Sequence, residues 1–134
     1  MKILIFLFLF LFTLRATTRD VACSGTITTT LQSAINSSVD GDIVNITSGS
    51  CSAGGISWSN KNITVRGQGI GITVVNGLYF TVRDDTKASF RITGMSIGTP
   101  TNYWKIDAYN RTTGIQGWRI DHIAFSYSGC TQNI

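Results

Sequence analysis

Glutamate is absent from the 134-residue chain, and Pro100 is its only proline. Thr, Ser, Gly, Asn and Ile dominate instead, a composition that excludes a compact helical domain and favours strands joined by turns. Long apolar runs are also missing. The longest, Ile3 to Leu14, is almost wholly Leu, Ile and Phe, but falls well short of the ~20 apolar residues that a membrane-spanning helix needs. Lys2 before it and Arg15-Ala16-Thr17-Thr18 after it make residues 1–18 read as a signal peptide. No membrane span is expected in the mature chain, which is predicted to be secreted or held at the cell surface. A clustered basic stripe is lacking too. Removing Lys2 and Arg15 with the leader lowers the net charge from +4 to +2, leaving nine Lys and Arg against seven Asp. That balance excludes a nucleic-acid partner.

An even cysteine count is the last absence. Cys23, Cys51 and Cys130 are three, so in an oxidising compartment one has no partner within the chain. Cys23 with Cys51 is the expected disulfide, a clip on the first segment worth ~3 kcal/mol through restriction of the unfolded chain. Cys130 then either awaits a partner beyond Ile134 or is a buried thiol.

What the sequence does contain is strand-like and repetitive. One helix is expected, over Thr29 to Ser38, with Leu31, Ala34 and Ile35 on one face and a Thr as N-cap. Asp40-Gly41 supplies a turn, and Asp42 to Ile46 alternates as a short strand. Beyond it, Ile63-Thr64-Val65-Arg66-Gly67, Arg91-Ile92-Thr93-Gly94-Met95-Ser96-Ile97 and Arg119-Ile120-Asp121-His122-Ile123-Ala124-Phe125 align. Val65, Ile92 and Ile120 fall in register at intervals of 27 and 28 residues. Ile70, Ile97 and Phe125 align as a second apolar position, and Gly67, Gly94 and His122 share a third.

Strands repeating at such a period suit a solenoid whose coils stack like residue on like residue. A sandwich or barrel also accommodates short strands, but does not require inward positions to recur at a fixed long interval. The expected fold is therefore all-β, a right-handed parallel β-helix of three to four rungs, with an amphipathic helix over the open first coil.

Several of these stretches resemble a known family. Leu31-Gln32-Ser33-Ala34-Ile35, Asp40-Gly41-Asp42-Ile43-Val44-Asn45-Ile46, Gly49-Ser50-Cys51 and Asn62-Ile63-Thr64-Val65-Arg66-Gly67-Gln68-Gly69 look like the start of pectate-lyase-superfamily β-helix proteins. The likeness covers roughly residues 22 to 98. It implies that residues 19–134 are the N-terminal part of a longer β-helix, truncated at its C-terminus, or else a small oligomer that buries its last strand edge against another chain. The superfamily spans lyases, hydrolases, esterases, tailspikes and adhesins, so the resemblance speaks to fold rather than reaction. Its catalytic Arg or Lys and acidic calcium ligands lie on middle rungs, so no residue here inherits a catalytic role, although Ca²⁺ is possible in a full-length parent.

Local candidates remain. Asp84 and Asp85 are adjacent carboxylates that could contribute to a metal site, although Ca²⁺ takes 6–8 oxygen ligands, two Asp provide too few, and a solvated turn is the favoured explanation. Asp121-His122 pairs an acid with an imidazole, and His122 stands where the repeat has a turn glycine. The aromatics Trp58, Tyr79, Tyr103, Trp104, Tyr109, Trp118 and Tyr127 are numerous for so polar a chain. Tyr103, Trp104 and Tyr109 are the candidates for stacking against sugar rings, whereas Trp118 is expected to fill the bore. Asn36, Asn45, Asn62 and Asn110 each open an N-x-Ser/Thr sequon, with Asn45 and Asn62 placed to serve turns or side-chain ladders. The function expected is a secreted β-helix that acts on or binds polysaccharide, as a lyase or hydrolase in its full-length form. The alternative is a non-catalytic adhesin or structural β-helix.

Overall fold

The structure, a computed structural model, describes residues 15–84, 89–98, 106–110, 117–127 and 130–133, with backbone alone for 84, 108–110, 126, 127 and 130–133. The apolar run Ile3–Leu14 lies outside the described residues. The elements are β1 (Thr18–Val21), β2 (Gly25–Thr26), α1 (Thr28–Ser37), β3 (Ile43–Ile46), β4 (Gly49–Ser52), β5 (Gly55–Ser59), β6 (Thr64–Arg66), β7 (Thr73–Asn76), β8 (Tyr79–Asp84), β9 (Phe90–Gly98), β10 (Ile106–Asn110), β11 (Trp118–Tyr127) and β12 (Cys130–Asn133).

They wind into a parallel β-solenoid of about three turns with one short helix. The first face stacks β1, β3, β6 and the leading halves of β9 and β11; the second stacks β2, β4, β7 and their trailing halves. The third is a separate sheet in the order β5, β8, β10. Neighbouring rungs of such sheets lie about 4.8 Å apart.

The repeat seen in the sequence is the stacking itself. Val44, Val65, Ile92 and Ile120 are successive register partners on the first face, and the first three are wholly buried. The second apolar column differs from the expected one. It runs Cys51, Val75, Ile97, Phe125, whereas Ile70 is 47% exposed on the turn between β6 and β7. That turn holds six residues, Gly67 to Ile72, while β9 passes from one face to the other without a break, so counting from Val65 lands on the loop. On the third face Ile56, Phe80 and Ile106 form the inner column.

Aromatic rings close the bore. Trp58 meets Phe80 and Phe90 edge-on at centroid distances of 5.8 and 5.7 Å, and Phe90 meets Trp118 at 5.3 Å. Trp118 thus packs on the core, as expected.

Helix α1 takes the place of a strand in the first coil, below β5. Leu31 and Ile35 are completely buried, and Ala34 is packed beside them. No threonine caps the helix. Ile27 occupies the N-cap position without a side-chain bond, and Thr28 is committed elsewhere, its hydroxyl accepting from the Gly54 amide at 2.8 Å. The Asp-Gly-Asp turn follows as a brace between coils. Asp40 accepts from the Asn62 amide at 3.0 Å, while the buried Asp42 accepts from the Thr17 and Val39 amides at 2.8 and 3.1 Å. Those amide bonds hold the Asp42 carboxyl below the ordinary range.

Cys23 and Cys51 are joined, with their Cα atoms 5.2 Å apart and their positions separated by 28 in sequence. The bond ties the first coil to the second. At the other end β12 pairs antiparallel with Ala124–Tyr127 of β11. This pairing covers the trailing part of the β11 edge and does not extend over residues 118–123. The side chain of Cys130 lies outside the described residues.

Candidate functional site

Alternation on the third sheet decides what faces solvent. In β5, Ile56 and Trp58 point inward, leaving Gly55, Ser57 and Ser59 outside; in β8, Phe80 and Val82 are buried, leaving Tyr79, Thr81 and Arg83 outside. Register makes columns of these: Gly55 beside Tyr79, Ser57 beside Thr81, Ser59 beside Arg83. With α1 and Lys61 they enclose an open groove of about 840 Å³.

Each wall of the groove has a structural cause. Tyr79 remains 43% exposed, and its ring lies across Gly55, where a Cβ would come within 2.6 Å of Cε2. Glycine at 55 is therefore what lets the phenol lie flat on the sheet. On the helix side the Gln32 carboxamide accepts from the Ser57 amide at 2.9 Å and donates to the Ser57 carbonyl at 2.8 Å. It completes the ladder that β5, having no strand beneath it, would leave open. The Lys61 ammonium donates to the Ile35 and Asn36 carbonyls at 2.8 and 2.6 Å, fixing its charge at the helix C-terminus, where cations are favoured. Lys61 and Arg83 give the groove two cations, and no carboxylate is among the described residues lining it.

The candidates from sequence are distributed differently. Tyr103, Trp104 and Asp85 lie outside the described residues. Tyr109 is described by its backbone, in register with Arg83 on the rung above the groove, and Asp84 likewise, ending β8 opposite Asn110. Among the described residues no group of three His, Cys, Asp or Glu gathers to hold a metal. Tyr79, Lys61, Gln32 and Gly55 are the groove residues that the sequence did not single out. The inside-outside alternation Leu78, Tyr79, Phe80, Thr81, Val82, Arg83 was the available signal.

Asp121 and His122 do not form an acid-base pair. Asp121 is gripped by Arg91 through two bonds of 3.0 and 2.9 Å and approached by Arg119 Nε at 2.6 Å, whereas His122 Nδ1 stands 3.7 Å away on a side chain 73% exposed. The forked bond from Arg91, helped by Thr93 and Arg119, drives the Asp121 carboxyl far below the ordinary range. Because the folded chain holds this carboxylate more tightly in its ionised form, the stabilisation is complete above about pH 4 and drains as acid protonates the group. Asp121→Asn is expected to cost about 1 kcal/mol at neutral pH, given the exposure of its partners. Urea midpoints measured from pH 7 down to pH 3 should fall less steeply in that variant than in the parent; parallel curves would contradict this role.

No protein-family profile, curated protein or solved structure matches the chain. Among the described residues no helix is long and apolar enough to cross a membrane.

Proposed function

We propose that this chain is an exported polysaccharide-binding β-helix and that the groove between α1 and the third sheet is where it binds. The observation that carries the reading is Tyr79, a broad ring laid flat and solvent-facing on a rigid sheet, with glycine beneath it. A pyranose offers a flat apolar face that stacks on such a ring, and the hydroxyls of Ser57 and Thr81 stand beside it for the sugar's own hydroxyls. Lys61 and Arg83 favour acidic chains over neutral ones. Export is supported by the leader-like run and by the Cys23–Cys51 bond, which persists in oxidising compartments.

Kinship with the pectate-lyase-like β-helix proteins is part of the same proposal. It is supported by the quoted motifs, which fall on the capping helix, the Asp-Gly-Asp brace and the first repeat rung. Binding is the part of the reading that Tyr79 and the two groove cations support. A lyase or hydrolase activity would belong to a longer parent protein.

Affinity electrophoresis of the chain in gels containing polygalacturonate, alginate or a neutral glucan tests the proposal. Tyr79→Ala should weaken retention roughly tenfold, the loss of one stacking contact of about 1.4 kcal/mol. Its melting temperature should stay close to the parent's, because the ring is half exposed. Equal retention of the two proteins in every gel would refute the assignment of the groove.

A further inference from the structure

Of the four sequons, Asn36 lies on the groove and Asn110 is described by its backbone alone; the structure divides the other two, at Asn45 and Asn62, sharply. Asn45 of Asn45-Ile46-Thr47 is 6% exposed and sits at the centre of a polar ladder on the first face. Its amide nitrogen donates to Asp20 at 2.7 Å, and its oxygen accepts from Arg66 Nε at 3.1 Å and Gln68 Nε2 at 2.6 Å. Three coils meet on this one side chain, since Asp20, Asn45 and Arg66 are successive register partners. Asn62 of Asn62-Ile63-Thr64 is placed otherwise. Its side chain is exposed on the loop before β6, and the loop is pinned through the backbone, the Asn62 amide donating to Asp40 at 3.0 Å and its carbonyl accepting from Gly41 at 2.7 Å. Among the described residues it is these backbone groups of Asn62 that hold the loop.

We propose that the chain takes an N-glycan at Asn62, which its fold accommodates, whereas modification of Asn45 and closure of the first three coils are mutually exclusive. The modifying reagent is a polyprenyl-pyrophosphate-linked oligosaccharide of a glycosylating export pathway. In the transfer, the Asn amide nitrogen bonds to the anomeric carbon, the bond from that carbon to the pyrophosphate oxygen breaks, and the nitrogen loses one proton. At Asn62 the new substituent projects into solvent. At Asn45 it sits on the nitrogen that donates to Asp20, in a side chain that the ladder leaves 6% exposed. Because the transfer acts on the nascent chain, an Asn45 that is modified first cannot enter the ladder.

Secretion of the full chain from yeast, followed by peptide mass spectrometry of the soluble, disulfide-bonded fraction, tests both halves. The expected result is glycan on the Asn62 peptide and none on the Asn45 peptide, with any Asn45 glycan confined to insoluble material. Glycan on Asn45 in the soluble fraction, or an Asn62 peptide that is never modified, overturns the proposal. Where the parent chain yields no soluble protein, Thr47→Val removes the Asn45 sequon and leaves its ladder in place, losing only the bond from the Cys23 amide to the Thr47 hydroxyl. Recovery of soluble Thr47→Val protein from yeast then supports the exclusion; failure in yeast of a variant that folds in the bacterial periplasm refutes it.

Discussion

Leu31→Asp is expected to destabilise the chain by at least about 4 kcal/mol, enough to leave a domain of this size largely unfolded. Leu31 has no exposed surface and lies in the same cluster as Ile35, Ile56 and Val44. A carboxylate at that position loses the apolar contact and gains no partner. The second consequence is exposure of the end that the helix covers. The first coil has a helix where later coils have a third strand, so displacing α1 bares both the bore and the lower edge of β5, and an unpaired edge recruits other chains. Light scattering during size-exclusion chromatography should therefore report aggregates rather than an unfolded monomer. Gln32→Ala separates the two effects. It leaves Leu31 buried and removes the two bonds to Ser57 together with an exposed one to Asn36, for an expected loss of about 1 kcal/mol without aggregation. A monomeric Leu31→Asp protein melting with the parent would show that α1 covers nothing essential.

The legible part of this fold was the part governed by repetition. Val65, Ile92 and Ile120 could be aligned because a stacked coil imposes one interval on every inward residue of a face, and the structure pairs those same residues. Parity showed only that one of three cysteines is left over, and the choice of Cys23 with Cys51 as a clip on the first segment is the bond the structure contains; the Asp-Gly-Asp turn was readable by its chemistry, though not that Asp42 would be buried and reach back to Thr17. Ile70 was misplaced because a loop of six residues changes the interval without changing the rung. The expected threonine cap is absent because α1 begins at Thr28, whose hydroxyl accepts from the open Gly54 amide of the next coil. The groove was the least legible feature. It is made by residues more than twenty positions apart, such as Gln32 with Ser57 and Gly55 with Tyr79. Composition ranked Tyr79 no higher than six other aromatic residues, and what distinguishes it is the glycine one rung below.

That dependence of one rung on the next gives the other large expected effect, at Gly67. Its φ is not in the left-handed region, so its backbone suits any residue, and a loss on substitution must come from space alone. A Cβ at 67 would stand 2.5 Å from the Gly94 carbonyl oxygen, 2.8 Å from Thr73 Cβ and 2.9 Å from Met95 Cβ. None of these can yield cheaply. The Gly94 oxygen accepts from the Gly69 amide at 2.7 Å, and the Gly67 amide donates to the Thr93 carbonyl at 3.0 Å. Relief therefore means prising β6 from β9 at the centre of the stack. Gly67→Ala is expected to cost about 3 kcal/mol, at the upper end of overpacking, with the urea midpoint falling and its slope unchanged. His122, in the corresponding slot one coil beyond Gly94, makes the opposite case. It holds φ 52 beside Gly94's 71 and is exposed, so there the constraint is conformation and not room. His122→Gly should then stabilise by about 0.5–1 kcal/mol, since a side chain at positive φ is strained and glycine is not. If Gly67→Ala were tolerated while His122→Gly destabilised, the column would be held by something other than the close approach of one coil's backbone to the next.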